Sequence, residues 1–296
     1  MERWEYSLTG EQPWTTISQT DTTLNFTNLD VSTWYRVVVK SGVCETKISN
    51  KIKIKVDEPT ISGAISGTQE VCTALNTGTL FLNDYTGDVS KWQKSENLTE
   101  WVSISNITNR QTFTNLETTT YYRVIVKSGV CSIDTTRAFE VKVNPLPEVS
   151  FTSSEVCEGS STTLNNSTTV EDGFLSAFLW DFNDGESSTL DSPLHTYATY
   201  GTFGVKLIVT SSEGCIDSLT QNVIVNPKPI SDFSQENVCV GFAMDFSDLS
   251  IVDLGSLDEY SWNFGDGNNS TDSDVSHTYG TDGIFEVSLE VTTDKG

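Results

Sequence analysis

The two histidines, His195 and His277, occupy the same place in two copies of one motif. One imidazole per copy, with no H-E-x-x-H, excludes the usual zinc-ligand sets. Counting residues does not exclude a Ser-His-Asp arrangement, but the G-x-S-x-G nucleophile elbow is absent. Asp181 and Asp184 could form an acid/base pair, yet carboxylates are everywhere in a chain with 41 Asp and Glu. Their proximity therefore carries no weight. Asp181, Asp184 and Asp191, or Asp266, Asp272 and Asp274, offer hard oxygens of the kind calcium takes. Against calcium, the D-x-[DN]-x-[DN]-G spacing is missing, and Asp181 becomes Asn263 in the second copy. Asp184-Gly185 and Asp266-Gly267 are turn dipeptides, which account for both aspartates without a metal. The residues predict no catalysis and no cofactor, with calcium at Asp184 and Asp266 as the subordinate alternative.

Six cysteines carry the remaining chemistry. They fall into two contexts: QEVC at Cys72, SEVC at Cys157 and ENVC at Cys239 open a unit, while KSGVC at Cys44 and Cys131 and SSEGC at Cys215 close one. This alternation predicts the disulfides Cys72–Cys131 and Cys157–Cys215, with the partners of Cys44 and Cys239 outside the chain. Each bridge would close a loop of ~60 residues, worth roughly 4 kcal/mol in the chain-entropy account. Paired cysteines of this number imply an oxidising, extracytoplasmic setting.

The elements that position these residues repeat. Trp180/Trp262, Asp184/Asp266, Gly185/Gly267, His195/His277, Tyr197/Tyr279, Gly201/Gly283 and Phe203/Phe285 share one offset of 82 positions, the mark of a tandem unit. GTFGVKLIVT and GIFEVSLEVT alternate with period two, as a half-buried strand does. So does YYRVIVK, where Tyr122, Val124 and Val126 share one face. Helical spacing is absent while Thr, Val, Ile and aromatics abound, which predicts an all-β chain. Trp180 and Trp262 lie 23 residues after the opening cysteines and are expected in the core. Trp92 lies 20 residues after Cys72, where an immunoglobulin-like sandwich sets a core tryptophan against its bridge. The predicted core also holds Tyr122, His195 and His277. Trp14 and Trp101 could stack on sugars, but packing on strands accounts for them. V-N-P-x-P recurs at 143–147 and 225–229 and predicts short, stiff junctions. The expected units are a truncated Ig-like repeat at 1–57, an Ig-like repeat at 58–144, and two further sandwiches at 145–226 and 227–296. The last stops before its closing cysteine, and the array is expected to form an extended rod.

The net charge of −24 is concentrated: residues 145–296 hold 25 acidic and 3 basic side chains. Such a surface argues against nucleic acid and anionic membranes, whose phosphates need Lys and Arg. No apolar run is long enough to span a bilayer.

W-[DN]-F-x-D-G, then H-T-Y, then G-x-[FI]-x-V-x-L-x-V-T resembles the PKD domain, an immunoglobulin-like β-sandwich of surface and secreted proteins. The resemblance covers residues 145–296. Residues 1–144, with T-T-x-Y-Y-R-V and K-S-G-V-C, resemble Ig-like repeats of giant Bacteroidota surface proteins. The mixture is similar to the SprB-type gliding adhesins, which leave the cell by type IX secretion. That resemblance implies a non-catalytic, cell-surface stalk or adhesion segment. Its partners would be neighbouring repeats and a surface polysaccharide or similar ligand. The alternative is an accessory spacer or carbohydrate-binding region of a secreted protease or polysaccharide hydrolase.

Overall fold

Alternation along the chain becomes alternation across a sheet. In Thr120–Lys127 every second side chain is buried, from Thr120 and Tyr122 through Val126, because successive Cβ atoms point to opposite faces. The same rule governs the eleven-residue Gly201–Ser211 strand, whose Val205, Leu207 and Val209 are fully buried. A computed structural model describes residues 1–295, and no helix occurs among the described residues. The protein is all-β and divides into two compact units, Met1–Asn144 and Pro145–Gly296.

The first unit begins with one five-stranded sheet, Thr15–Ile17, Arg3–Ser7, Thr33–Val39 and Lys47–Ile48 in order, with Ile52–Ile54 also on Thr33–Val39. It continues as two facing sheets. One has six strands, with Asp88–Ser95 and Thr120–Lys127 at its centre and Glu70–Cys72 at one edge. The other holds Arg110–Thr114, Thr77–Asn83 and Ala64–Gly67. Between them Trp92, Leu80, Leu82, Tyr122, Val124 and Val141 form one apolar cluster. Burial pushes the Tyr122 hydroxyl up to about 12. Asp57 ties the two repeats of this unit together, accepting the Val130 amide at 3.1 Å and pairing with Lys55.

The second unit contains two sandwiches built alike. In the first, Phe151–Ser153, Ser161–Asn166 and Leu194–Thr196 form one sheet. Val156–Cys157, Ile216–Asn226, Gly201–Ser211, Leu175–Asp181 and Ser187–Ser188 form the other. The second sandwich repeats this with Phe233–Gln235, Ala243–Asp248 and Val275–Thr278 facing Asn269–Ser270, Leu257–Asn263 and Ser288–Thr293. Trp180 and Trp262 are fully buried at the two centres. Their indole N–H groups donate to the Leu190 and Asp272 carbonyls, each at 2.9 Å.

The cysteine pairing differs from the sequence expectation. Cys131 is a free thiol that donates to the Glu58 carbonyl at 3.3 Å, so no Cys72–Cys131 bridge forms. Nor is Cys157 joined to Cys215. The reason is the placement of opening and closing cysteines at opposite ends of one sandwich. Cys157 lies in parallel register with Asn226, the last residue of an eleven-residue strand, while Cys215 immediately precedes its first residue. That strand separates them by about 35 Å, whereas a bridge needs Cα atoms within ~7 Å. Likewise Cys72 pairs with Asn144 at one end of its sheet, and Cys131 lies beyond the far end of Thr120–Lys127. Cys72 and Cys215 each take part in a disulfide. Trp92 is buried, held by apolar packing and a 2.8 Å bond from its N–H to the Thr108 carbonyl. Native alkylation under non-reducing conditions should label Cys44, Cys131 and Cys239 and spare Cys72 and Cys215 until reduction. Labelling of Cys72 or Cys215 without reductant would contradict the structure.

Candidate functional site

The residues singled out for chemistry come together twice, once in each sandwich of the second unit. After the Trp180 strand the chain turns through Asp181-Phe182-Asn183-Asp184-Gly185, and Asn183 adopts φ 61° there. Asp181 Oδ1 accepts the Asn183 amide at 2.9 Å, and Asp184 Oδ1 accepts the Glu186 amide at 3.0 Å. Both are Asx turns, in which a short acidic or amide side chain closes the backbone two residues on. In the second copy Asn263 accepts the Gly265 amide at 3.0 Å and Asp266 accepts the Asn268 amide at 3.0 Å. The exchange of Asp181 for Asn263 therefore preserves the one atom the turn uses.

The second oxygen of each aspartate reaches a histidine. His195 Nε2–H donates to Asp184 Oδ2 at 2.6 Å, and His277 Nε2–H to Asp266 Oδ2 at 2.7 Å. Leu194–Thr196 carries His195 across from the opposite sheet, so the pair fastens the turn to that sheet. The imidazole lies flat on Phe182, ring centroids 4.0 Å apart, and meets Tyr197 edge-on at 4.5 Å. Tyr197 in turn stacks on Phe203 at 3.9 Å and donates its hydroxyl to the Phe182 carbonyl at 3.2 Å. Phe264, His277, Tyr279 and Phe285 reproduce the ladder at 4.2, 4.6 and 4.1 Å. The Tyr279 hydroxyl donates to the Phe264 carbonyl at 3.0 Å.

Electrostatics follow from this geometry. Burial acts to raise the Asp184 carboxyl, but the Glu186 amide, the His195 hydrogen bond and its charge outweigh it and hold the group below the ordinary carboxylate range. Asp266 is lowered in the same way, with burial opposed by His277 and by the Asn268 amide and side chain. Burial, and secondly the Asp184 charge, push the Tyr197 hydroxyl up to about 12.

What this constellation can do chemically is limited. Both oxygens of Asp184 and of Asp266 are committed to internal donors. Among the described residues no group of three or more His, Cys, Asp or Glu is placed to hold a metal ion. His195 Nδ1 faces Glu186 Oε2 at 3.8 Å, and no serine or cysteine among the described residues hydrogen-bonds either imidazole. His195 is buried and His277 nearly so, with a side chain 13 % exposed. Trp14 and Trp101 each have one face covered by a guanidinium, Arg36 and Arg123, both 4.0 Å from the ring centroid. Those arginines are themselves fixed, Arg36 by Glu5 at 2.7 Å and Arg123 by Gln93 at 2.8 Å. Sequence reasoning missed these clamps, although T-x-Y-R-V places an arginine on each strand.

Among known proteins, the pre-pro-metalloprotease PrtV of Vibrio cholerae is 26 % identical over 140 residues, 47 % of this chain and 15 % of that protein. A microbial collagenase of Vibrio alginolyticus is 37 % identical over 62 residues, 21 % of this chain and 8 % of the collagenase. The chain thus spans a small fraction of either relative. The PKD1 domain of Vibrio anguillarum Epp shares 29 % identity, covering 29 % of this chain and 99 % of that domain with a TM-score of 0.27. None of these relatives is a gliding adhesin. Residues 2–58 and 61–145 match a domain of unknown function (DUF8696). Residues 142–225 and 226–296 match the PKD domain family, and since they make up more than half of its length, the chain belongs to that family.

Proposed function

We propose that this chain is a non-catalytic accessory region of an extracellular enzyme of the protease class, serving as a structured spacer. The observation that carries this reading is the commitment of both oxygens of Asp184 and Asp266, and of each histidine Nε2, to internal partners. A site that keeps its carboxylates hydrogen-bonded and its imidazoles stacked has no open position for substrate. The protease and collagenase relatives supply the enzyme class, and they favour the accessory role over the surface-adhesin role expected from sequence resemblance. Disulfide-bonded Cys72 and Cys215 fit an oxidising, extracytoplasmic setting. The acidic surface of residues 145–296 keeps such a region solvated without attracting nucleic acid.

Arg36 and Arg123 each occupy one face of Trp14 and Trp101, which leaves at most the opposite face of each ring for a sugar to stack on. Pull-down of the purified chain on insoluble collagen, chitin and cellulose tests the spacer reading. The chain should remain in the supernatant in each case. Saturable retention abolished by Trp14→Ala or Trp101→Ala would replace the spacer reading with a binding module.

A further inference from the structure

The two Ig-like repeats of the first unit meet where adjacent residues are held by different repeats. Val56, just after the Ile52–Ile54 strand, is held by the first: Ser32 Oγ accepts its amide at 3.0 Å and donates to its carbonyl at 3.3 Å. Asp57, the next residue, is held by the second. Its carboxylate, on a side chain 9 % exposed, accepts the Val130 amide at 3.1 Å and pairs with Lys55. The turn before Val130 has Gly129 at φ 48°, a left-handed step that aims successive amides into one concavity and suits an anion. A Cβ on Gly129 would run into the Asp57 carboxylate, so the fit requires glycine. Farther along, the exchange is reversed. Asp134, beyond this turn, accepts the Ser62 amide at 2.9 Å. Between the two carboxylates, the Ser128 amide donates to Thr60 Oγ1 at 3.0 Å and the Cys131 thiol to the Glu58 carbonyl at 3.3 Å. Each segment thus offers the other one carboxylate and one amide.

We propose that Asp57 and Asp134 form an acid-released clasp that fixes the orientation of the second Ig-like repeat on the first. While both are charged, no free residue lies between Val56 and Asp57, so the joint has no hinge to absorb a change in backbone angles. Both carboxyls lie below the ordinary range. Asp57 is held there by the Lys55 hydrogen bond and then by the Val130 amide, Asp134 by Ser62, side chain first, and by the Thr135 amide. The clasp is therefore complete above about pH 4 and is lost as pH falls through the two native values. The other titratable groups on the joined segments are Lys55, Glu58, Lys127 and Cys131, with Asp88 acting on Lys55. Both lysines stay charged through this range, and Glu58 joins the clasp through its backbone carbonyl. The receiving turn forms without the clasp. Residues 41–44 repeat S-G-V-C with Gly42 at φ 52° and the Cys44 amide on the Ser41 carbonyl at 3.0 Å, although a Cβ on Gly42 would meet nothing within 4 Å. In the clasp the matching bond, Cys131 amide to Ser128 carbonyl, is 2.8 Å. Acid thus releases the linker from a preformed seat to which it can return.

The test measures residual dipolar couplings of backbone amides in the 296-residue chain, comparing the alignment of residues 1–55 with that of 63–144. In the parent chain at pH 7 the two sets should share one alignment. D57A/D134A should separate them at the same pH, with alignment strengths differing by about twofold or more, while couplings within each repeat still fit its own fold. Taking the parent from pH 5 to pH 3 should produce the same separation. D57N/D134N keeps the acceptors but cannot titrate, and its alignment should not change over that range. One shared alignment in D57A/D134A would overturn the clasp as the orienting contact. Equal separation of the parent and D57N/D134N in acid would overturn its release by these carboxyls.

Discussion

Replacing Trp180 with alanine is expected to cost the first PKD sandwich about 3–5 kcal/mol, the range for truncating a large buried aromatic. The indole is fully buried and is met edge-on by Phe151 at a centroid distance of 4.9 Å. Its removal opens a cavity between the two sheets and orphans the Leu190 carbonyl that its N–H satisfies. Because the chain folds as more than one unit, a single melting temperature would blur the effect. The measurement is therefore local: denaturant-dependent exchange in Leu175–Asp181 and Gly201–Ser211, with Asp88–Ser95 of the first unit as the internal reference. The loss should appear in the first two segments and leave the reference unchanged. A loss below 1 kcal/mol would mean that this tryptophan does not organise the core.

The second large effect concerns the Asp–His ladder. Substituting alanine for Asp184 orphans the Glu186 amide and the His195 Nε2–H together, at about 1–3 kcal/mol for each donor left without a partner. The carboxyl also makes the fold pH-dependent, with a definite sign. Its native value lies below that of an unfolded aspartate, so its contribution is present above about pH 4. That contribution is lost as pH falls from there through the native value. Asp266 acts in the same direction. The D184N/D266N double variant keeps a turn acceptor but cannot titrate. Its stability should change less than that of the parent chain between pH 5 and pH 2.5. Parallel acid limbs for the two proteins would show that the ladder carboxylates do not set acid stability.

Periodicity and spacing made the sheets readable. YYRVIVK and GTFGVKLIVT announced which faces are buried, and the 82-residue offset placed Trp180 and Trp262 at equivalent core positions. The Asp-Gly dipeptides announced their turns. What spacing could not convey was which end of a sandwich each cysteine occupies. Two cysteines flanking one repeat read as a pair along the chain, but the eleven residues of Ile216–Asn226 hold Cys157 and Cys215 apart. The partnership of each histidine with an aspartate was equally hidden, because it joins strands of different sheets. A finer exchange also needed coordinates. Asn183 takes a left-handed φ of 61° beside Gly204, whereas the second copy has Gly265 at φ 76° beside Glu286. A Cβ on Gly265 would stand 2.5 Å from the Glu286 carbonyl oxygen, so a backbone that approaches this closely requires glycine there. A Cβ on Gly204, by contrast, would meet nothing closer than 3.7 Å.

The central claim is that the motif carrying the chain's only histidines builds the fold and performs no reaction. Its most direct test is turnover of gelatin, casein and soluble polysaccharides by the purified chain and by D184N/D266N, under native conditions where both retain the same exchange-protected core. The account predicts product formation indistinguishable from the buffer blank for both proteins. Turnover by the parent chain that vanishes in the folded double variant would contradict it.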